Sequence, residues 1–177
     1  MQPLRRALGL ASLITLVAAL PPAIAQRGDD AERLSKNGKT VGTIDGIEIS
    51  LEFGRPGVKN RKLWGGLVPY DRIWRTGADE ATTMSLTGDA LIEGEPLAAG
   101  TYSLFTIPGE SEWTVVFNTV AEQWGAFNYD EGKDALRVTV TPRSSEFVEN
   151  LDFEIEGTEV VLRWGELALP IAVAAQP

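Results

Sequence analysis

Thr40–Phe53, TVGTIDGIEISLEF, decides the fold. Two runs rich in β-branched residues flank Asp45-Gly46, and Asp-Gly between such runs is a strong signal for a two-residue hairpin turn. In the second run Ile47, Ile49, Leu51 and Phe53 alternate with Glu48, Ser50 and Glu52. A period of two places the apolar set on one face of a strand and leaves the polar set in water. Gly54-Arg55-Pro56-Gly57 then breaks the strand.

The same pattern extends outward from this hairpin. Thr82–Thr87 and Ala90–Ile92 read as short strands, and Glu93-Gly94-Glu95-Pro96 reads as a turn. Thr101–Ile107 and Trp113–Asn118 form a second hairpin around Pro108-Gly109-Glu110-Ser111. Leu136, Val138 and Val140 alternate in the next strand, and Leu151, Phe153 and Ile155 in the one after it. Val160–Trp164 and Leu167–Val173 follow, separated by Gly165-Glu166. No capped helical stripe interrupts them, although Val120–Trp124 has room for a single helical turn. About ten short strands predict an all-β protein, an antiparallel β-sandwich of jelly-roll-like or Ig-like type, over residues 39–174.

The N-terminus differs in composition. Arg5 and Arg6 precede an apolar run from Ala7 to Leu20, and Ala23-Ile24-Ala25 fits signal peptidase, so residues 1–25 predict a signal peptide cleaved between Ala25 and Gln26. The run is shorter than the ~20 residues needed to cross a bilayer, so no integral membrane segment is expected after cleavage, and the location expected is periplasmic or secreted. Residues 26–38, QRGDDAERLSKNG, are charged and nearly free of large apolar groups, and predict a disordered linker.

Charge narrows the partners. The chain has 25 acidic and 16 basic residues and a net charge of −9, which becomes −11 once Arg5 and Arg6 are removed. An acidic surface repels phosphate backbones and anionic membranes, so nucleic acid is not an expected partner. With no cysteine, an exported domain has no disulfide and depends on its core. The absence of histidine and cysteine also removes the Ser-His-Asp triad, the cysteine nucleophile and the usual zinc and copper sites. Gly38-Lys39-Thr40 has the ending of a phosphate-binding loop, but Arg33 stands where the first glycine belongs. No cofactor is expected.

What remains is Val58–Thr83, VKNRKLWGGLVPYDRIWRTGADEATT, the longest stretch without β alternation. Aperiodic stretches beyond ~12–15 residues in compact domains are usually functional loops or disordered, and its large apolar residues argue against disorder. Arg61, Arg75 and their basic neighbours offer guanidinium forks for a carboxylate or phosphate, and Trp74 offers a flat face for a sugar ring. Burial in the core is the competing reading of Trp74. Asp79 and Glu80 are the best acids for a glycosidase-like carboxylate pair, with Glu110, Glu112 or Asp130 as a second acid. The alternative is that Asp79 caps a turn and Glu80 pairs with Arg75 or Arg72.

Three stretches resemble the secreted bacterial family known as domain of unknown function 2911: Val58–Tyr70 running into Trp74–Thr82, Leu97–Gly109, and Trp124–Asp130. Asp79 departs from a position that is more often asparagine in that family. The resemblance implies an exported β-rich domain of unassigned activity and transfers no catalytic residue.

The candidate ligand-binding residues are Arg61, Tyr70, Trp74, Arg75, Asp79, Glu80, Tyr102 and Trp124. No metal is expected, because Asn128, Asp130 and Asp134 lack the ordered acidic spacing of a calcium loop. The preferred function is a binding module that takes a small polar ligand, a glycan or a partner protein through residues 58–83. A carboxylate-dependent hydrolase and a structural or assembly factor of the cell envelope are the alternatives.

Overall fold

The structure is a computed structural model that describes residues 27–177, so the expected signal peptide lies outside the described residues. Ten strands form two antiparallel sheets packed face to face. The first contains β1 (Lys36–Ile44), β2 (Ile47–Arg55), β3 (Thr82–Leu86), β6 (Gly100–Pro108), β7 (Trp113–Asn118) and β8 (Asp134–Val140), in that spatial order. The second orders β5 (Glu95–Leu97), β4 (Ala90–Ile92), β10 (Glu159–Ala175) and β9 (Arg143–Glu156). Two sheets without closure make a sandwich rather than a barrel.

The deciding hairpin forms as its sequence dictates. Asp45 and Gly46 both have positive φ, 49° and 83°, which matches the right-handed twist of the strands they join. The register pairs Ile44 with Ile47 and Thr40 with Leu51. Ile47, Ile49, Leu51 and Phe53 are buried between the sheets, where they meet Phe153, Leu162 and Val160 from the second sheet. Glu48, Ser50 and Glu52 face outward.

Some expectations about the elements change. Val160–Trp164 and Leu167–Val173 are one strand, because Gly165 adopts φ 63° and absorbs a bulge while pairing with β9 continues on both sides. A side chain there would lie 2.9 Å from Leu63 Cδ1. The expected turn at Glu93–Pro96 is shorter, since Glu93 and Gly94 turn the chain and Glu95–Leu97 pairs with β4 as an edge strand that tolerates Pro96. Val120–Trp124 is not helical; the only short helical turns among the described residues are 3-10 turns at Asp30–Glu32 and Glu131–Lys133.

The largest change concerns the linker. Strand β1 begins at Lys36 rather than 39, and the segment before it lies against the first sheet. Arg27 donates to the carbonyls of Glu52 and Ala81, at 2.9 and 2.6 Å. Two arginine contacts anchor this segment where its composition offers no apolar ones.

Residues 58–74 close one end of the sandwich. Trp64 packs edge-on against Trp74, Trp113 and Trp164, with ring centroids 5.9, 4.7 and 5.7 Å apart. Trp74 stacks on Trp164 and is tied to β6 by paired hydrogen bonds with Thr106. Four indoles thus seal the end of the core that the β6–β7 turn leaves open.

Candidate functional site

Alternation fixes what the outer face of the first sheet displays. Register pairs Glu52 with Thr83 and Ser50 with Ser85 across β2 and β3, then Thr83 with Ser103 and Ser85 with Thr101 across β3 and β6. Nearly every outward position in this region is therefore a hydroxyl or a carboxylate.

The two halves of this face have different cover. Over β6 and β7, Phe105 and Val116 are buried beneath Ile73, Ala126 and Tyr129, which form a small second core. The covering loop, residues 119–133, is pinned by Asn118. Its Nδ2 donates to Asp130 O and Asp134 Oδ1, and its Oδ1 accepts from Val120 N and Gln123 Nε2. Tyr129 donates to Asp134 Oδ2 at 2.6 Å, while Arg137 donates to the same carboxylate and to the Tyr129 oxygen. Burial, followed by the Asp134 carboxylate, pushes the Tyr129 phenol up to about 12, so it stays a donor at any physiological pH.

Over β1, β2 and β3 no described element covers the face. A groove of about 1090 Å³ runs there, floored by Ser50, Thr83, Ser85 and Thr101 and flanked by Lys39, Val41, Glu48 and Glu52. Its far wall is Val120–Trp124. Ser85 and Thr101 hydroxyls bond each other at 2.9 Å, whereas those of Ser50 and Thr83 make no hydrogen bond among the described residues. Trp124 stands at the rim, 58% exposed.

At the end beside Trp124, Glu80 is held by two arginines. Arg33 grips it with both terminal nitrogens, Nη1 donating to Oε2 at 2.6 Å and Nη2 to Oε1. Arg27 Nη1 stands 3.6 Å from Oε2. The hydrogen bonds from Arg33, helped by the charge of Arg27, hold the Glu80 carboxyl at about 2, well below its ordinary value. Asp79, at 3.6 Å, adds its charge near Arg33.

The eight sequence candidates separate accordingly. Glu80 and Trp124 line the groove and are joined by an antiparallel bridge. Asp79, at φ 62°, supports them by accepting from Gly125 N. Arg75 approaches the 119–133 loop at Gly125, its Nε buried without a hydrogen-bond acceptor among the described residues. Arg61 holds its own loop by donating to the Gly57 and Val58 carbonyls. Tyr70 packs against Gly65, Trp74 belongs to the indole cluster, and Tyr102 is buried against Phe117 with its hydroxyl on Ala98 O. The Val58–Thr83 segment is therefore mostly packing, and only its last residues reach the groove.

Glu80 pairs with Arg33 and Arg27 instead of Arg75 or Arg72, because the N-terminal segment is docked rather than free. Asp134, considered for calcium, has both oxygens engaged, and no group of three potential metal-ligating side chains occurs among the described residues. The groove's floor and Arg27 were missed. The floor hydroxyls had a signal, since Glu48-x-Ser50-x-Glu52, Thr83-x-Ser85-x-Thr87 and Thr101-x-Ser103 are the outward halves of three strands that pair side by side. Arg27 had none.

A two-sheet β-sandwich with a hydroxyl-floored groove on one sheet face defines the class. This chain belongs to the family described as protein of unknown function (DUF2911), whose profile matches residues 35–173. No curated protein and no solved structure matches it. No helix among the described residues is long and apolar enough to cross a membrane.

Proposed function

We propose that this protein is an exported, non-catalytic module that binds a glycan chain in the groove on the outer face of its first sheet. The observation that carries the reading is the row of hydroxyls, Ser50, Thr83, Ser85 and Thr101, beside the exposed indole of Trp124. Serine and threonine hydroxyls both donate and accept, which matches the hydroxyls along the edge of a sugar. An indole face offers flat apolar area to the C–H face of the same ring, as large aromatic groups do in polar-rimmed sites. The volume lies just above the ~300–1,000 Å³ of ordinary ligand pockets, and so suits an oligosaccharide better than a single small molecule.

Electrostatics removes Glu80 from the role of general acid. A general acid in glycoside cleavage needs a raised pKa, and Glu80 is held near 2 in the opposite direction. Export rests on the N-terminal signal pattern.

Isothermal titration of the purified protein against neutral oligosaccharides tests the reading. Binding that is lost in Trp124→Ala while the fold stays intact supports it. Binding unaffected by Trp124→Ala, or none to any oligosaccharide, refutes it.

A further inference from the structure

The Trp124 end of the groove contains two buried polar atoms with unused hydrogen-bonding capacity. Arg27 and Gln123 both line the groove. The Arg27 side chain is only 8% exposed. Its Nη2 is satisfied by two carbonyls, but Nη1 is buried and makes no hydrogen bond among the described residues, where Glu80 Oε2 stands 3.6 Å away. Gln123 Oε1 is likewise buried with no donor among the described residues.

Arg27 Nη2 donates to Ala81 O, and Ala81 N donates to the main-chain oxygen of Gln123, so the two residues flank the same buried alanine. The orientation of the Gln123 amide follows from its partners. Nε2 faces Val120 O and Asn118 Oδ1, both acceptors only, so the oxygen must be the atom left over. Asn118 is fixed in turn by donating to Asp130 O and Asp134 Oδ1.

An unmatched donor and an unmatched acceptor, both desolvated, are costly to leave unpaired. A ligand at this end of the groove must offer an acceptor to the nitrogen and a donor to the oxygen; hydroxyls supply both, whereas a carboxylate supplies no donor. Charge points the same way. Arg27 sits among Glu80, Glu52 and Asp79, with Arg33 already engaged by Glu80 and Asp79, so an incoming anion meets carboxylates.

We propose that Arg27 Nη1 and Gln123 Oε1 form the anchor of the groove for the hydroxyls of a neutral saccharide, making Arg27 a specificity-determining residue that favours uncharged over uronate-bearing chains. This rests on the reading of the groove as a glycan site. It assigns a binding role to a residue in the segment whose composition suggested a linker.

The test is calorimetric titration of wild type, Arg27→Met, Arg27→Lys and Trp124→Ala with gluco-, manno-, galacto- and xylo-oligosaccharides and with an oligogalacturonate. The anchor predicts that a neutral chain binds and the uronate does not, and that both Arg27 variants bind about tenfold more weakly, the scale of one hydrogen bond to a charged donor. Should Arg27→Met melt early, Arg27→Lys, which retains the charge, carries the comparison. A monodeoxy derivative of the bound sugar that lacks the hydroxyl held by Arg27 should lose the same factor on wild type and nothing further on Arg27→Lys, whereas loss of the hydroxyl held by Gln123 should weaken both proteins alike. Wild-type affinity in Arg27→Lys together with lost affinity in Trp124→Ala overturns the anchor and leaves the groove standing. Tighter binding of the uronate overturns the neutral-ligand assignment. Failure of every saccharide to bind wild type removes the groove reading and the anchor with it.

Discussion

Arg33 and Glu80 meet fork to fork, with both terminal nitrogens of the guanidinium on both oxygens of the carboxylate, and this contact ties the N-terminal segment to the mouth of the groove. Glu80 is three-quarters buried there and held at about 2. A depressed carboxyl contributes stability that is present above its unfolded value and is lost as pH falls through the folded one. The shift corresponds to roughly 3 kcal/mol, disappearing between about pH 4.5 and pH 2. Urea unfolding of wild type and Glu80→Gln at pH 7, 4 and 2.5 checks this. The two should differ most at pH 7 and converge in acid, whereas a constant difference would show that Glu80 is not held ionised by folding.

Asn118 predicts a different kind of loss. It is fully buried, and its amide joins β7 to the 119–133 loop through three hydrogen bonds and to Asp134 of β8 through a fourth. Asn118→Ala leaves several of those partners unsatisfied and should cost about 2–3 kcal/mol. Amide exchange should rise across residues 120–130 before it rises in β2 or β10. Uniform acceleration everywhere would mean that the loop is not held separately.

The indole cluster predicts a core defect with no effect on the groove. Trp64→Ala removes the ring that contacts three other tryptophans and should destabilise the fold by about 3 kcal/mol or more. Near-UV circular dichroism from the remaining indoles should fall sharply. Retention of that signal and of the melting temperature would contradict the packing described.

Gly54 tests the contact between β2 and the 76–79 turn. A Cβ at this position would lie 2.3 Å from the Ala78 carbonyl oxygen, a backbone atom that has no rotamer to move into. Gly54→Ala should therefore cost about 1–3 kcal/mol by overpacking, read as a lower urea midpoint. An unchanged midpoint would mean that the turn can shift away at no cost.

The hairpin at Asp45-Gly46 and the facing of Ile47 through Phe53 were legible because local propensity, turn chemistry and burial agree there. The two-sheet architecture followed from the count and spacing of such strands. The groove was less legible. Its floor depends on β2, β3 and β6 lying side by side, and pairing across long sequence separations is not written in any one segment. Aromatic and basic content drew attention to Val58–Thr83, yet Trp64 and Trp74 serve the core and Arg61 serves its own loop. Polar composition suggested that residues 26–38 were free, but Arg27 Nη2 bonds two carbonyls and Arg33 a carboxylate that only the folded sheet brings within reach.

Trp124 sits at the rim and bears little on stability, so Trp124→Ala should melt within a few degrees of wild type, as surface substitutions usually do within about 0.5 kcal/mol. That separates binding from folding and makes site mapping decisive. The most direct measurement is nuclear magnetic resonance of labelled protein titrated with the neutral oligosaccharide that binds most tightly. The shifted amides should cluster at Ser50, Thr83, Ser85, Thr101 and Gln123, together with the Trp124 indole. Shifts confined to residues 58–74 at the closed end of the sandwich, or scattered without relation to the groove, would contradict the groove reading.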